Sequence, residues 1–203
     1  MEREMSWVVF GAYLVFGCHP SASQKNLAHV DEHVSSFESL PSEACGDLLA
    51  EHHGIKVYRN YGKGLHSCGS YHRSQDGYDY GPEWQCVEFV RRYYKDHLHH
   101  RFPMKGNAKD YFDAKVPHGA ISPSRGLIQY RNGRAEKPKE HDLLVCPNMA
   151  SGYGHVAIVI RVESDRMAIL QQNKLPAEEW ISLEKQAGNW IIGWDCAGFL
   201  RKP

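Results

Sequence analysis

Neither sign of charge prevails in this 203-residue chain, where Lys plus Arg and Asp plus Glu number 24 each. Without a basic surplus there is no field to hold a phosphate backbone, so nucleic acid is excluded as an expected partner. Internal repeats, heptad runs and low-complexity tracts are also missing, which removes solenoids, coiled coils and long disordered linkers. No apolar run is long enough to span a bilayer as a helix. What remains is a length suited to one well-cored domain of catalytic size.

The N-terminus reads separately. Trp7 to Gly17 is an apolar run of signal-peptide length, so residues 1–17 are expected to target the chain for export and then be removed. The string Leu14-Val15-Phe16-Gly17-Cys18 resembles a bacterial lipoprotein cleavage site, which would make Cys18 the lipidated residue and attach the protein to a membrane. An ordinary secretory peptide is the alternative. Either way the expected location is the bacterial cell envelope, in the periplasm or at the outer membrane as a lipoprotein, or the medium outside. Residues 18–53 are polar and irregular and read as a tether or a short helical lead-in. The core-forming pattern runs through residues 54–203.

Six cysteines divide by context. Cys18 falls at the cleavage site and Cys86 in the segment with chemical promise, leaving Cys45, Cys68, Cys146 and Cys196 available for bridges. An oxidising envelope favours one or two disulfides, and all three pairings of four cysteines stay open.

Cys86 stands where a loop becomes a helix. Pro82 and Glu83 suit a helix entrance, and Phe89, Val90, Tyr93, Tyr94 and His97 follow at helical intervals as a buried face. Glu88, Arg91, Arg92, Lys95 and Asp96 share the opposite stripe, expected to be solvated, with Glu88–Arg92 and Arg92–Asp96 as exposed pairs of about 0.3 kcal/mol each. A thiol in the first turn, near free N–H groups and the positive dipole end, is expected to have a lowered pKa. His155 opens the apolar strand Gly154-His155-Val156-Ala157-Ile158-Val159. Together they suggest a Cys–His nucleophilic pair.

Several weaker signals read as structure. Asp76, Asp79 and Glu83 crowd the loop before Cys86, but their spacing suits a turn better than a calcium loop. His52-His53 and His97, His99 and His100 read as solvated histidines, so no metal and no cofactor is expected. Tyr71, Tyr78, Tyr80, Trp84 and Tyr153 flank the two reactive segments and could line an aromatic groove or pack in the core. Leu143-Leu144-Val145 reads as a buried strand with a structural Asp142 at its start, and Glu163-Ser164-Asp165-Arg166 as a hairpin connection.

Five segments in order carry a resemblance to a known family: Trp84-Gln85-Cys86-Val87-Glu88-Phe89-Val90-Arg91-Arg92, Gly106-Asn107-Ala108-Lys109-Asp110-Tyr111, Asp142-Leu143-Leu144-Val145, Gly154-His155-Val156-Ala157-Ile158-Val159 and Gln171-Gln172-Asn173, closing on Ile192-Gly193-Trp194. Over residues 54 to 200 the chain resembles CHAP domains, the cysteine- and histidine-dependent amidohydrolases and peptidases of bacterial cell-wall enzymes. Its Trp-Gln-Cys-Val-Glu-Phe string is similar to the amidase half of bifunctional glutathionylspermidine synthetase/amidase. The resemblance implies an α+β, papain-like fold, with the nucleophile helix packed on an antiparallel sheet that carries the histidine.

It also implies roles. Cys86 would be the nucleophile and His155 the general base, forming a thioester acyl-enzyme with peptidoglycan or a small peptide amide as substrate. The backbone N–H of Cys86 would stabilise the oxyanion, with Gln85, Trp84 and Tyr153 lining the substrate groove. Where the family usually has a glutamate, this chain has Gln171, with Asn173 retained two residues on. Either amide oxygen could accept the histidine Nδ1–H and fix its tautomer, and Asn173 is the expected orienter. The alternative substrate is a glutathionylspermidine-type conjugate. The alternative of another class is a non-catalytic wall-binding module.

Overall fold

The computed structural model describes residues 44–60, 68–103 and 105–203. The expected signal segment 1–17, Cys18 and most of the tether lie outside the described residues. Among the described residues no helix is long and apolar enough to cross a membrane.

Among the described residues short strands dominate, and a single α-helix interrupts them. The strands β1 (Leu48–His52) and β2 (Ile55–Tyr58) form one hairpin, and β3 (Tyr71–Arg73) with β4 (Asp79–Pro82) another. The helix α1 (Cys86–Arg92) runs directly into a π-helical turn, Tyr93–His97, and a 3-10 turn follows at Ala108–Tyr111. The remaining strands are β5 (Ala120–Ser122), β6 (Leu127–Arg131), β7 (Leu143–Cys146), β8 (His155–Val162), β9 (Arg166–Leu170), β10 (Glu178–Gln186), β11 (Asn189–Ile192) and β12 (Gly198–Arg201). They build one antiparallel sheet in the order β11-β10-β9-β8-β7-β12-β6-β5. The class is α+β.

Hydrophobic pattern explains the centre of this sheet. Leu143, Leu144 and Val145 of β7 are fully buried, as are Val156, Ile158 and Val159 of β8, so both faces of the central strands are covered. Burial of a side chain such as Ile158 contributes roughly 1.5–3 kcal/mol. One face packs Leu143, Val145, Val156 and Ile158 against Phe89, Val90, Tyr93 and Tyr94 of the helical segment. The other packs Leu144, Ala157 and Val159 with Ile169, Ile181, Leu183 and Phe199. The Glu163–Asp165 connection joins β8 to β9 as an antiparallel hairpin, as its residues suggest.

Two sequence expectations fail here for physical reasons. Leu48–His52, placed in the 18–53 tether, form β1, because Leu49 and Ala50 pack on the core opened by Ile55 and Val57. The stripe Glu88, Arg91, Arg92 is not solvated: the three are 0%, 1% and 6% exposed. Glu88 Oε1 faces His72 Nδ1 at 2.7 Å and accepts from Arg92 Nε at 2.8 Å, while Gln172 Nε2 donates to Glu88 Oε2 at 2.7 Å. Burial alone would raise the Glu88 pKa, but His72, Arg92 and Gln172 outweigh it and hold the carboxyl below its usual range. The Glu88–Arg92 pair therefore exists, but as a buried brace of the helix. Asp96 accepts instead from Tyr80 Oη at 2.6 Å and from Lys95 Nζ at 3.1 Å.

The bridges are Cys45–Cys68 and Cys146–Cys196, and Cys86 is a free thiol. Asp142 is structural, accepting from Arg201 Nε at 2.8 Å and Nη2 at 2.7 Å. The residues before β4 form a turn closed by Gly77 N–H donating to Ser74 O at 3.0 Å. Asp76 in that turn is engaged by Lys95 and Arg101.

Candidate active site

Cys86 is the first residue of α1, so its N–H has no partner inside the helix. Its sulfur lies among the backbone amides of Val156, Val87 and Cys86 itself, which ties the start of the helix to the second residue of β8. The residue is 7% exposed. That small exposure opens into a cavity of about 630 Å³ whose lining includes Gln85, Cys86, Asn107, Tyr153, His155 and Asn173. Gly154 makes room for this arrangement. With φ of +82°, any Cβ there would press on the Lys109 backbone, 2.8 Å from its Cα, and Lys109 N–H donates to Tyr153 O at 3.0 Å.

His155 is 3% exposed, and its Nε2 faces Gln171 Oε1 at 2.8 Å. The orientation of the Gln171 amide is not arbitrary. Its nitrogen donates to Pro176 O and to Glu179 Oε2, both at 2.9 Å, and neither of those atoms can donate in return while Glu179 is ionised. Gln171 Oε1 must then point at the imidazole as an acceptor. His155 consequently carries its proton on Nε2 and keeps the basic lone pair on Nδ1. Lys174 Nζ, 2.7 Å from Glu179 Oε2, holds the carboxylate in place. Glu179 and Lys174 are members of the site that the sequence did not suggest. Nothing in their spacing sets them apart from other strand-edge charges.

Asn173, the expected orienter of His155, does something else. The register Ile158↔Leu170 would set residue 173 opposite His155 if it continued. It does not continue, because β9 ends at Leu170 and Asn173 adopts a left-handed conformation with φ of +64°. Gln171, diagonal to His155, reaches the ring instead, and it does so at Nε2, whereas the expected acceptor contact was at Nδ1. Asn173 Nδ2 donates to Gln85 Oε1 at 2.8 Å, and Asn60 Nδ2 donates to Asn173 Oδ1 at 2.7 Å. This amide chain fixes Gln85 at the cavity wall. Tyr153 and Tyr71 also line the cavity, both largely exposed. Trp84 does not line it, packing instead against Tyr58 and His72.

Electrostatics correct another expectation. Burial pushes the Cys86 thiol up to about 11, and the amides of Val156, Val87 and Cys86 offset this only in part. Burial likewise lowers His155 to about 4; Gln171 pulls it upward, Lys174 downward and Glu179 upward, all more weakly. A first-turn position does not by itself make a thiolate when the sulfur is out of water. At pH 7 the resting pair is thiol and neutral imidazole. Such a pair can react by moving the proton during attack, with the base already in the correct tautomer.

No curated protein matches the chain. A family model matches residues 75–173, the span that holds Cys86, His155, Gln171 and Asn173. The matching model is that of the CHAP domain, so this span is similar to CHAP domains.

Proposed function

We propose that this protein is a papain-like cysteine amidohydrolase of the bacterial cell envelope, cleaving amide bonds of peptidoglycan with Cys86 as nucleophile and His155 as general base. The observation that carries the reading is a free thiol and a tautomer-fixed imidazole lining one cavity of about 630 Å³. Cys86 Sγ attacks the scissile carbonyl as His155 Nδ1 takes the thiol proton. The developing oxyanion is met by the Cys86 N–H, with the Gln85 amide nearby. Collapse expels the amine, which takes the proton from His155, and leaves a thioester. Water, deprotonated by the same nitrogen, then releases the acid and restores the thiol.

Two disulfides among the described residues support an oxidising location and hence export. Lipidation at Cys18 and removal of residues 1–17 remain part of the same proposal, and mass spectrometry of the mature protein reads both directly.

Incubation with purified peptidoglycan tests the activity. New free amines and carboxyls are expected from the wild type and none above background from Cys86→Ala or His155→Ala. Unchanged release in Cys86→Ala would remove this nucleophile. Turnover of glutathionylspermidine without wall cleavage would move the substrate to that conjugate, and no turnover of either would favour a binding module.

A further inference from the structure

Away from the thiol, four histidines that the sequence scatters over three segments come together. His52 ends β1, His53 occupies the turn to β2, His97 ends the π-helical turn and His141 precedes β7. The rings of His53 and His97 lie 4.3 Å apart, those of His53 and His141 5.5 Å, and those of His97 and His141 5.1 Å. One ring nitrogen from each of His53, His97 and His141 falls within 4.8 Å of the others. Glu140 Oε1 is 3.5 Å from His53 Nε2 and 3.6 Å from His52 Nε2. His53 is exposed as expected, but His52 and His97 are part-buried and the histidines converge instead of standing apart as solvated side chains.

We propose that His53, His97 and His141 bind one divalent transition-metal ion, with Zn²⁺ the first candidate and Glu140 as the fourth ligand. Three imidazoles and one carboxylate suit zinc, and tetrahedral bonds of 2.0–2.1 Å need ligand atoms about 3.3 Å apart. The three imidazole nitrogens, within 4.8 Å of one another, close to that spacing by side-chain rotation that turns the stacked His53 and His97 rings out of parallel, and exposed Glu140, which in this structure forms a trio with His52 and His53, swings across to join them.

Three further observations point to a ligand. His52 Nε2 is buried and has no hydrogen-bond partner, an orphan beside Glu140 that cation binding to this carboxylate would reorganise. His53 and His141 both hold left-handed backbone conformations, φ of +51° and +72°. The His53-Gly54 turn of the β1–β2 hairpin is of the kind where Asn-Gly is the usual choice, so a histidine there presents a ring that the turn does not require. Finally, His141 Nδ1 lies 2.9 Å from the buried Tyr93 Oη. With Nδ1–H donated to that oxygen, Nε2 keeps its lone pair for metal, the outer hydrogen bond that metal-bound histidines usually make. An ion here would fasten the β1–β2 hairpin, which lies outside the matched 75–173 span, to the end of the helical segment and to the loop before β7.

Calorimetric titration of ZnCl₂ into the metal-stripped full chain tests this, with Cys86→Ala as background so that the free thiol cannot compete. One ion per chain is expected, with a rise in melting temperature on addition. His97→Ala and His53→Asn, the latter keeping a turn-compatible residue, should weaken binding by more than the ~10–100-fold typical of losing an outer hydrogen bond, and Tyr93→Phe by about that range. His99→Ala, outside the cluster, should bind as the background does. No zinc uptake, or uptake unaffected by His97→Ala and His53→Asn, overturns the site. So does uptake abolished in His52→Asn but retained in His97→Ala, since the ion would then sit among His52, His53 and Glu140.

Discussion

Gln171 Oε1 accepts from His155 Nε2 at 2.8 Å because the other end of its amide is held by Pro176 and Glu179. The carboxylate that the family pattern would place directly against the imidazole stands one amide further away. A single change at 171 therefore does not restore a carboxylate–imidazole pair in place. Gln171→Glu would set two carboxylates face to face and leave the Pro176 carbonyl without its donor. A loss of about 1–3 kcal/mol in stability is expected. The double variant Gln171→Glu/Glu179→Gln removes the clash of carboxylates and should recover that part of the loss, while the Pro176 carbonyl stays without its donor and Lys174 loses its counter-charge. It should also move the acid limb of kcat/KM upward, since the charge now touches the ring. Urea midpoints and a pH–rate profile for the four members of the cycle check this; purely additive losses would break the link.

The resting state of Cys86 can be read by its chemistry. With a thiol pushed up to about 11, only about 10⁻⁴ of it is thiolate at pH 7. Carboxymethylation by iodoacetamide, followed at Cys86 by peptide mass spectrometry, should be slow at neutral pH and climb steadily beyond pH 9. Rapid labelling at pH 6 would mean a thiolate–imidazolium pair.

Stability should follow His155 through mildly acid pH. Folding depresses this group from 6.5 to about 4, so between those values the unfolded chain binds more protons than the native one. Its contribution is complete above pH 6.5 and is lost as the pH falls toward 4, a change of about 3 kcal/mol. His52, His97 and His141, lowered first of all by burial, act in the same direction. The wild type should lose more stability between pH 7 and pH 4.5 than His155→Asn does, measured by denaturant midpoints at each pH.

Glu88→Gln should cost about 3–5 kcal/mol, because it leaves the Arg92 guanidinium buried without its counter-charge. Glu184→Gln, on an exposed position of β10, should stay within about 0.5 kcal/mol. Thermal or urea unfolding of the two side by side gives the comparison, and equal effects would mean that the helix brace is solvated after all.

What local pattern dictates was legible. A thiol at a helix start, a histidine at the mouth of an apolar strand, the strand at Leu143 and the hairpin after Val162 all follow from spacing within a few residues. Interactions between distant segments were not. Glu88 and Arg92 look like any solvated i,i+4 pair until His72 and Gln172 arrive from elsewhere to cover them. The choice between Gln171 and Asn173 turned on where β9 stops, and alternation along the strand could not set that stopping point. The direction of the Cys86 shift depended on burial, which outweighs the first-turn amides. The histidine cluster needed three segments to converge, so no spacing rule could have found it.

The Cys146–Cys196 bond fastens the residue paired with His155 to the segment leading into β12. A reductant strong enough to open this buried bond while keeping the Cys86 thiol reduced would also undo the stitch beside His155. Activity measured with and without such an additive would report on two different proteins.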